Sequence, residues 1–136
     1  MNGPRRSGPL GAEDLEEATA TLSDQRDRLR AEIAGARETE SALRADCDLD
    51  AADTGAKAVT VQELHTRIEN AEALLERTLA ALARIRDQTF GVCTACGAPI
   101  GRDRVMALPH AGLCVACTKR QEKRVRGPRP GGHDPR

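Results

Sequence analysis

Four of the five cysteines stand as two pairs, Cys93-x-x-Cys96 and Cys114-x-x-Cys117, with seventeen residues between the pairs. Two residues between thiols let a tight turn present both sulfurs to one side of a tetrahedron, and a second such turn supplies the other two. Gly97 follows the first pair and Gly101 lies further into the loop; glycine lets the backbone turn sharply beside a metal. The pattern predicts one Zn²⁺ held by Cys93, Cys96, Cys114 and Cys117. Four thiolates leave no open coordination position, so the site is expected to be structural and the protein not an enzyme. Zinc would supply folding energy that a segment this poor in aromatics cannot gain from a core. The competing chemistry is a Cys-x-x-Cys redox pair, disfavoured because two pairs at zinc-finger distance are hard to explain as a thioredoxin-like site. His110 lies between the pairs and, with four cysteines present, is expected to be a plain loop residue. His65, His133 and Cys47 show no partner pattern.

Such a site needs something to anchor. The chain has 136 residues, of which 39% are hydrophobic and 31% charged, and Phe90 is its one aromatic. That is poor material for a wide core and good material for long helices. Lys and Arg together number 21, as do Asp and Glu, so the net charge is zero and any electrostatic function must come from local patches. No apolar run approaches the roughly 20 residues of a membrane span. The start, MNGPRRSGPLGAED, has no apolar stretch after its arginines, so no secretory signal is expected. A cytoplasmic location follows, where paired cysteines read as metal or redox chemistry rather than disulfides.

The periodicity supplies the helices. Leu15, Leu22, Leu29, Ala36 and Leu43 fall seven apart, but Thr19, Arg26 and Glu40 interrupt the companion positions. Gly35 costs this helix about 1 kcal/mol relative to Ala. The second run is cleaner: Val61, Leu64, Ile68, Ala71, Leu75, Thr78, Leu82 and Ile85 alternate steps of three and four, the pattern of a coiled-coil seam. Between the runs lies ADCDLDAADTGAKAVT, whose Asp and Gly favour a turn. The expected fold is mainly α: an antiparallel coiled-coil hairpin over 13–88, with helices at roughly 13–46 and 57–87 and on the order of 45 Å long, and an acidic tip over 46–56. A small four-Cys zinc finger with a short C-terminal helix should follow over 89–126. Residues 1–12 and 127–136 are expected as a disordered leader and tail, and the protein as a monomer.

The string Phe90-Gly91-Val92-Cys93-x-x-Cys96-Gly97, with Pro99-Ile100-Gly101, Ala107-Leu108-Pro109 and Leu113-Cys114-x-x-Cys117, resembles the DksA/TraR zinc-finger family of bacterial transcription factors. With the hairpin, the resemblance extends over about 13–125. It implies a regulator that binds RNA polymerase and projects the hairpin into the secondary channel. It also implies an acidic Asp-x-x-Asp-x-Ala motif at the tip, acting near the polymerase active centre. At the family's spacing from Cys93, that motif falls on Asp50 and Asp53; Gly55 replaces the alanine. Family members that respond to ppGpp use basic residues near the hairpin base and zinc domain. The matching positions here hold Arg77, Leu108 and Thr118, with Lys119 and Arg120 next along. Only Arg77 of the three matching residues can pair with phosphate oxygens, which disfavours a ppGpp response of the family type.

Two other functions fit parts of the chain. From Lys119 to Arg136 there are seven Lys/Arg against two acidic residues, which suits a nucleic-acid binder. The absence of Trp and Tyr for base stacking, and the zero net charge, argue against specific DNA binding. A thiol- or zinc-responsive regulator would keep the same fold, with oxidation of the thiolates loosening the base of the hairpin.

Overall fold

The computed structural model describes residues 10–45 and 51–126. Four helices follow in order: α1 (Ala12–Ala45), α2 (Ala51–Arg86), α3 (Arg102–Ala107) and α4 (Val115–Arg126). Cross-helix partners run in opposite directions along the first two: Gln25 with Thr78, Arg37 with Glu72 and Glu40 with His65. The pair is therefore an antiparallel hairpin. With 36 residues, α2 is about 54 Å long at 1.5 Å per residue.

Local chemistry sets the ends of these helices. At the start of α1 the Gly11 carbonyl accepts from the Leu15 amide at 3.1 Å, and the Asp14 carboxylate reaches back to the Gly11 amide at 3.0 Å. That is one half of a capping box. Glu13 and Asp14 also place negative charge at the positive end of the helix dipole. At the end of α2 the Thr89 amide donates to the Arg84 carbonyl and the Gln88 amide to that of Ile85. This is a Schellman motif. Its left-handed position is Gln88, at φ 64°, which costs about 1 kcal/mol in a residue with a Cβ.

The second helix starts at Ala51, six residues before the expected 57. The Asp-Thr-Gly sequence at 53–55 thus lies inside a helix rather than breaking one. Asp is well suited to a first turn, where the dipole favours negative charge, and one Gly costs only about 1 kcal/mol. Residues 46–50 lie outside the described residues, and with them Asp46, Cys47, Asp48 and Asp50. Leu10 and Gly11, placed in the leader by sequence, belong to the folded root: Leu10 is half-buried against its apolar cluster.

Two clusters of buried residues lie along the hairpin. The outer one joins Leu29, Ile33 and Ala36 to Leu64, Ile68 and Ala71. The inner one joins Ala18, Leu22 and Ala81 to Phe90, Cys93, Ile100, Val105 and Cys117 of the following segment. The seam departs from the heptad reading at this inner end. Ala18 and Ala81 are fully buried, whereas Leu15 and Leu82 are half-buried at the cluster's edge. A straight α-helix drifts by about 20° per heptad against a strict 3.5-residue repeat. The drift brings small residues to the helix contact and turns the leucines toward the finger. Thr78 is fully buried within the seam; its hydroxyl lies 2.8 Å from the Leu74 carbonyl and 3.0 Å from Gln25 Oε1. The cross-helix ion pairs are exposed and contribute little, so the apolar seam carries the hairpin.

Leu22 is fully buried where seam and finger meet. Leu22→Ala should cost about 2–4 kcal/mol in urea unfolding. Leu43→Ala, at a half-buried position, should cost distinctly less.

Candidate metal centre and its anchorage

The chain leaves α2 through Phe90 and enters a tight knuckle. Val92 and Pro99 form an antiparallel bridge, and the Cys93 amide donates to the Ala98 carbonyl at 2.8 Å. The Gly97 amide donates back to the Cys93 carbonyl at 2.9 Å, with Gly97 at φ 76°. This folds the backbone around the first thiol pair. The second pair straddles the start of α4, where the Cys117 amide points at Cys114 Sγ at 3.5 Å. Cys114 thus takes the place of an oxygen N-cap, and a helix N-terminus favours a thiolate. The two knuckles are tied by Thr94, whose amide and hydroxyl both donate to the Gly112 carbonyl, at 2.9 and 3.2 Å.

The four sulfurs all lie within 4.8 Å of one another, and those of Cys96 and Cys114 are 3.8 Å apart. A tetrahedron with Zn–S bonds of about 2.3 Å has edges of about 3.8 Å. The donor set therefore fits one Zn²⁺. Electrostatics agree. Amides of Cys114 and Cys96 bring the Cys93 thiol down to about 6, and the Cys117 amide lowers that of Cys114. Cys117 is pushed up to about 12 because its proton bridges to the Cys114 and Cys93 sulfurs. Four thiolates this close need a cation to lose all their protons near neutral pH. Zn²⁺ held by Cys93, Cys96, Cys114 and Cys117 would supply it and would tie both knuckles together.

The finger is fixed to the hairpin by a contact that sequence reading missed. Arg102, the first residue of α3, grips Asp14 of α1 through Nη2 and Nε at 2.7 and 3.0 Å. Hydrogen bonding from Arg102 and then from the Gly11 amide holds the Asp14 carboxyl below its usual range. Beside it Leu10 lies against Gly91, where an added Cβ would sit 2.7 Å from Leu10 Cδ1; at φ +88° a side chain would also be strained. Asp14 and Arg102 are 88 positions apart, so no local motif announces the pair.

The other residues singled out by sequence are scattered. Asp50 lies outside the described residues, and Asp53 is in the first turn of α2, roughly 50 Å along the helix from Arg86. Arg77 is exposed on α2, and its charge bears on His110. Lys119 and Arg120 are exposed on α4, and Arg120 borders a cleft near Cys117 with Arg124 and Gln121. His110, half-buried, is not among the clustered ligands; its Nδ1 is covered and has no hydrogen-bond partner. His65, which no pattern marked, bridges to Glu40 at 2.5 Å.

Comparison with known proteins places this arrangement. Residues 88–123 match the model of the prokaryotic dksA/traR C4-type zinc finger. The structure of transcription factor DksA2 from Pseudomonas aeruginosa superposes with a TM-score of 0.73 at 30% identity, covering 85% of this chain and 88% of that one. The chain belongs to the DksA/TraR family. Other DksA/TraR relatives include the RNA polymerase-binding transcription factors DksA of Caulobacter vibrioides, 34% identical over 93 residues, and of Escherichia coli, 36% identical over 55. Those alignments cover 66% and 40% of this chain, and 65% and 36% of the relatives' own lengths. Among the described residues no helix is long and apolar enough to cross a membrane.

Two outcomes follow for this centre. Stripping zinc with a chelator should unfold residues 89–126 and reduce helicity near the root, read by circular dichroism and amide exchange. Cys117→Ser should bring zinc content well below one ion per chain. Asp14 has a depressed carboxyl, so its contribution is complete above its unfolded value of 3.8 and disappears as pH falls through the lower folded value. Asp14→Asn should therefore lower Tm by a constant amount above about pH 5 and have progressively less effect below pH 4.

Proposed function

We propose that this protein is a transcription regulator that binds RNA polymerase and extends its hairpin into the secondary channel, with the tip over 46–56 acting near the active centre. The observation that carries this reading is the likeness to transcription factor DksA2 over 88% of that chain. A zinc finger at one end of a narrow two-helix rod suits a protein held outside a channel while its far end acts within. The names of the Caulobacter and Escherichia relatives, RNA polymerase-binding transcription factors, support the same partner. Such a protein would work in the cytoplasm, alongside polymerase.

In this reading Asp50 and Asp53 are the acting groups. Carboxylates carried on a stiff rod can perturb a Mg²⁺-dependent centre, or mobile elements beside it, without themselves catalysing a reaction. The zinc remains structural. A family-type ppGpp response is disfavoured by the surroundings of the matching positions. Leu108 is apolar and 43% exposed, and the Thr118 hydroxyl is engaged by Arg104 Nη2 at 3.2 Å. Neither supplies a cation, which leaves Arg77 alone.

The test is to mix zinc-loaded protein with core and holo RNA polymerase and to measure binding and open-complex lifetime. Asp50→Asn with Asp53→Asn should bind within about threefold of the wild type, a difference under 1 kcal/mol, yet leave open-complex lifetime unchanged. No association of the wild-type protein with polymerase would overturn the reading.

A further inference from the structure

Arg84 is in an unusual position for a charged residue. It lies two turns beyond Arg77 on α2, so the two share a face. Its guanidinium lies flat against Gly112, with Nη2, Cζ and Nη1 3.5 to 3.6 Å from the point a Cβ would occupy. The Nε and Nη2 atoms are covered and have no hydrogen-bond partner; the same holds for His110 Nδ1, two residues before Gly112. Burial alone depresses the Arg84 pKa, and no carboxylate acts on it. His110 is lowered by burial and by the charge of Arg77, again with no acid opposing.

Covered Nε and Nη2 of Arg84 and Nδ1 of His110 thus lack a hydrogen-bond partner among the described residues, with the charge of Arg77 close enough to bear on His110. Covering a guanidinium without a hydrogen-bond partner is costly, and a carboxylate from outside the chain would offset that cost. The same molecule shows what fits. Arg102 presents the same Nε and Nη2 edge to Asp14 and takes both carboxylate oxygens, at 3.0 and 2.7 Å. That edge is a planar fork matched to a carboxylate. Thr94 holds Gly112 in place through two hydrogen bonds, so an opening of this contact would fall to the Arg84 side chain. Turning out from under Gly112 would sacrifice no hydrogen bond from Nε or Nη2.

We propose that Arg84, flanked by Arg77 and His110, seats a carboxylate side chain of a partner protein against the root of the hairpin. The inference rests on the polymerase-binding reading for the partner's identity, because a rod inserted into a protein channel meets protein side chains along α2. It does not rest on that reading for the chemistry.

Two measurements on the zinc-loaded full chain test it. In the first, hexaglutamate is titrated while the Arg84 Nε–H and His110 ring resonances are followed by NMR. Both should shift and saturate, and Arg84→Met should abolish the response at His110. In the second, Arg84→Met should lose about tenfold in affinity for core polymerase while its Tm rises, since an unpaired covered charge has been replaced by an apolar chain of similar length. A merely structural arginine would not give tighter folding with weaker binding. The proposal is overturned if hexaglutamate leaves Arg84 unmoved, or if Arg84→Met binds polymerase as tightly as the wild type. It is also overturned if inorganic phosphate gives the same shifts at lower concentration, which would make this a site for free anions. Should hexaglutamate dock on Arg84 while the wild type ignores polymerase, the carboxylate seat stands and the polymerase reading falls.

Discussion

Everything in this molecule depends on how the open end of a two-helix hairpin is closed. Two helices touch along one narrow strip, and most of their described residues are exposed. Isolated helices of this kind gain most of their stability from tertiary packing, and a single seam supplies little of it. The zinc finger provides the missing partner. Phe90, Ile100 and Val105 bury themselves against Ala18, Leu22 and Ala81, so both helix ends share one core. The metal makes that possible: only six residues of the 92–114 loop are helical, and its one bridge, Val92 with Pro99, is too slight to fold unaided. Thiolate coordination replaces the hydrophobic core that the composition cannot provide.

Charge at the root is handled in two contrasting ways. Arg102 and Asp14 pair through two hydrogen bonds and tie the finger to α1. Arg84 lies beside Gly112 with two covered nitrogens that have no hydrogen-bond partner among the described residues. The first arrangement serves folding. The second costs stability rather than adding to it. The root is thus where the hairpin is clamped and also where Arg84 keeps two covered nitrogens without a partner among the described residues.

A rod clamped at one end suits action at a distance. Asp53, in the first turn of α2, lies roughly 50 Å along that helix from Arg86, too far for any direct electrostatic exchange with the root at physiological salt, where charges are screened within about 8 Å. The root can therefore bear on that first turn only through the helices between them. Thr78 and Gln25 inside the seam, and the Glu40–His65 and Arg37–Glu72 pairs along it, give that register polar fixed points.

Much of this was legible in the residues. The Cys-x-x-Cys pairs specify a metal because tetrahedral thiolate geometry leaves few other uses for that spacing, and the heptads specify a hairpin because periodicity is a local property. Reading failed where the deciding interaction is long-range or balanced. The start of α2 at Ala51 turns on a contest between Asp and Gly turn preference and the gain from extending a packed helix, which propensity alone does not settle. The exchange of Leu82 for Ala81 at the contact follows from accumulated helical drift and from the finger's apolar face, both invisible until the elements are packed. Asp14 with Arg102, Leu10 with Gly91 and Arg84 with Gly112 join residues far apart in the chain. Sequence by itself determined the four-thiolate donor set and the two long helices that pair, since those depend on neighbours. Only the tertiary structure decided which charges are paired and which are left over, since that depends on distances the chain sets by folding.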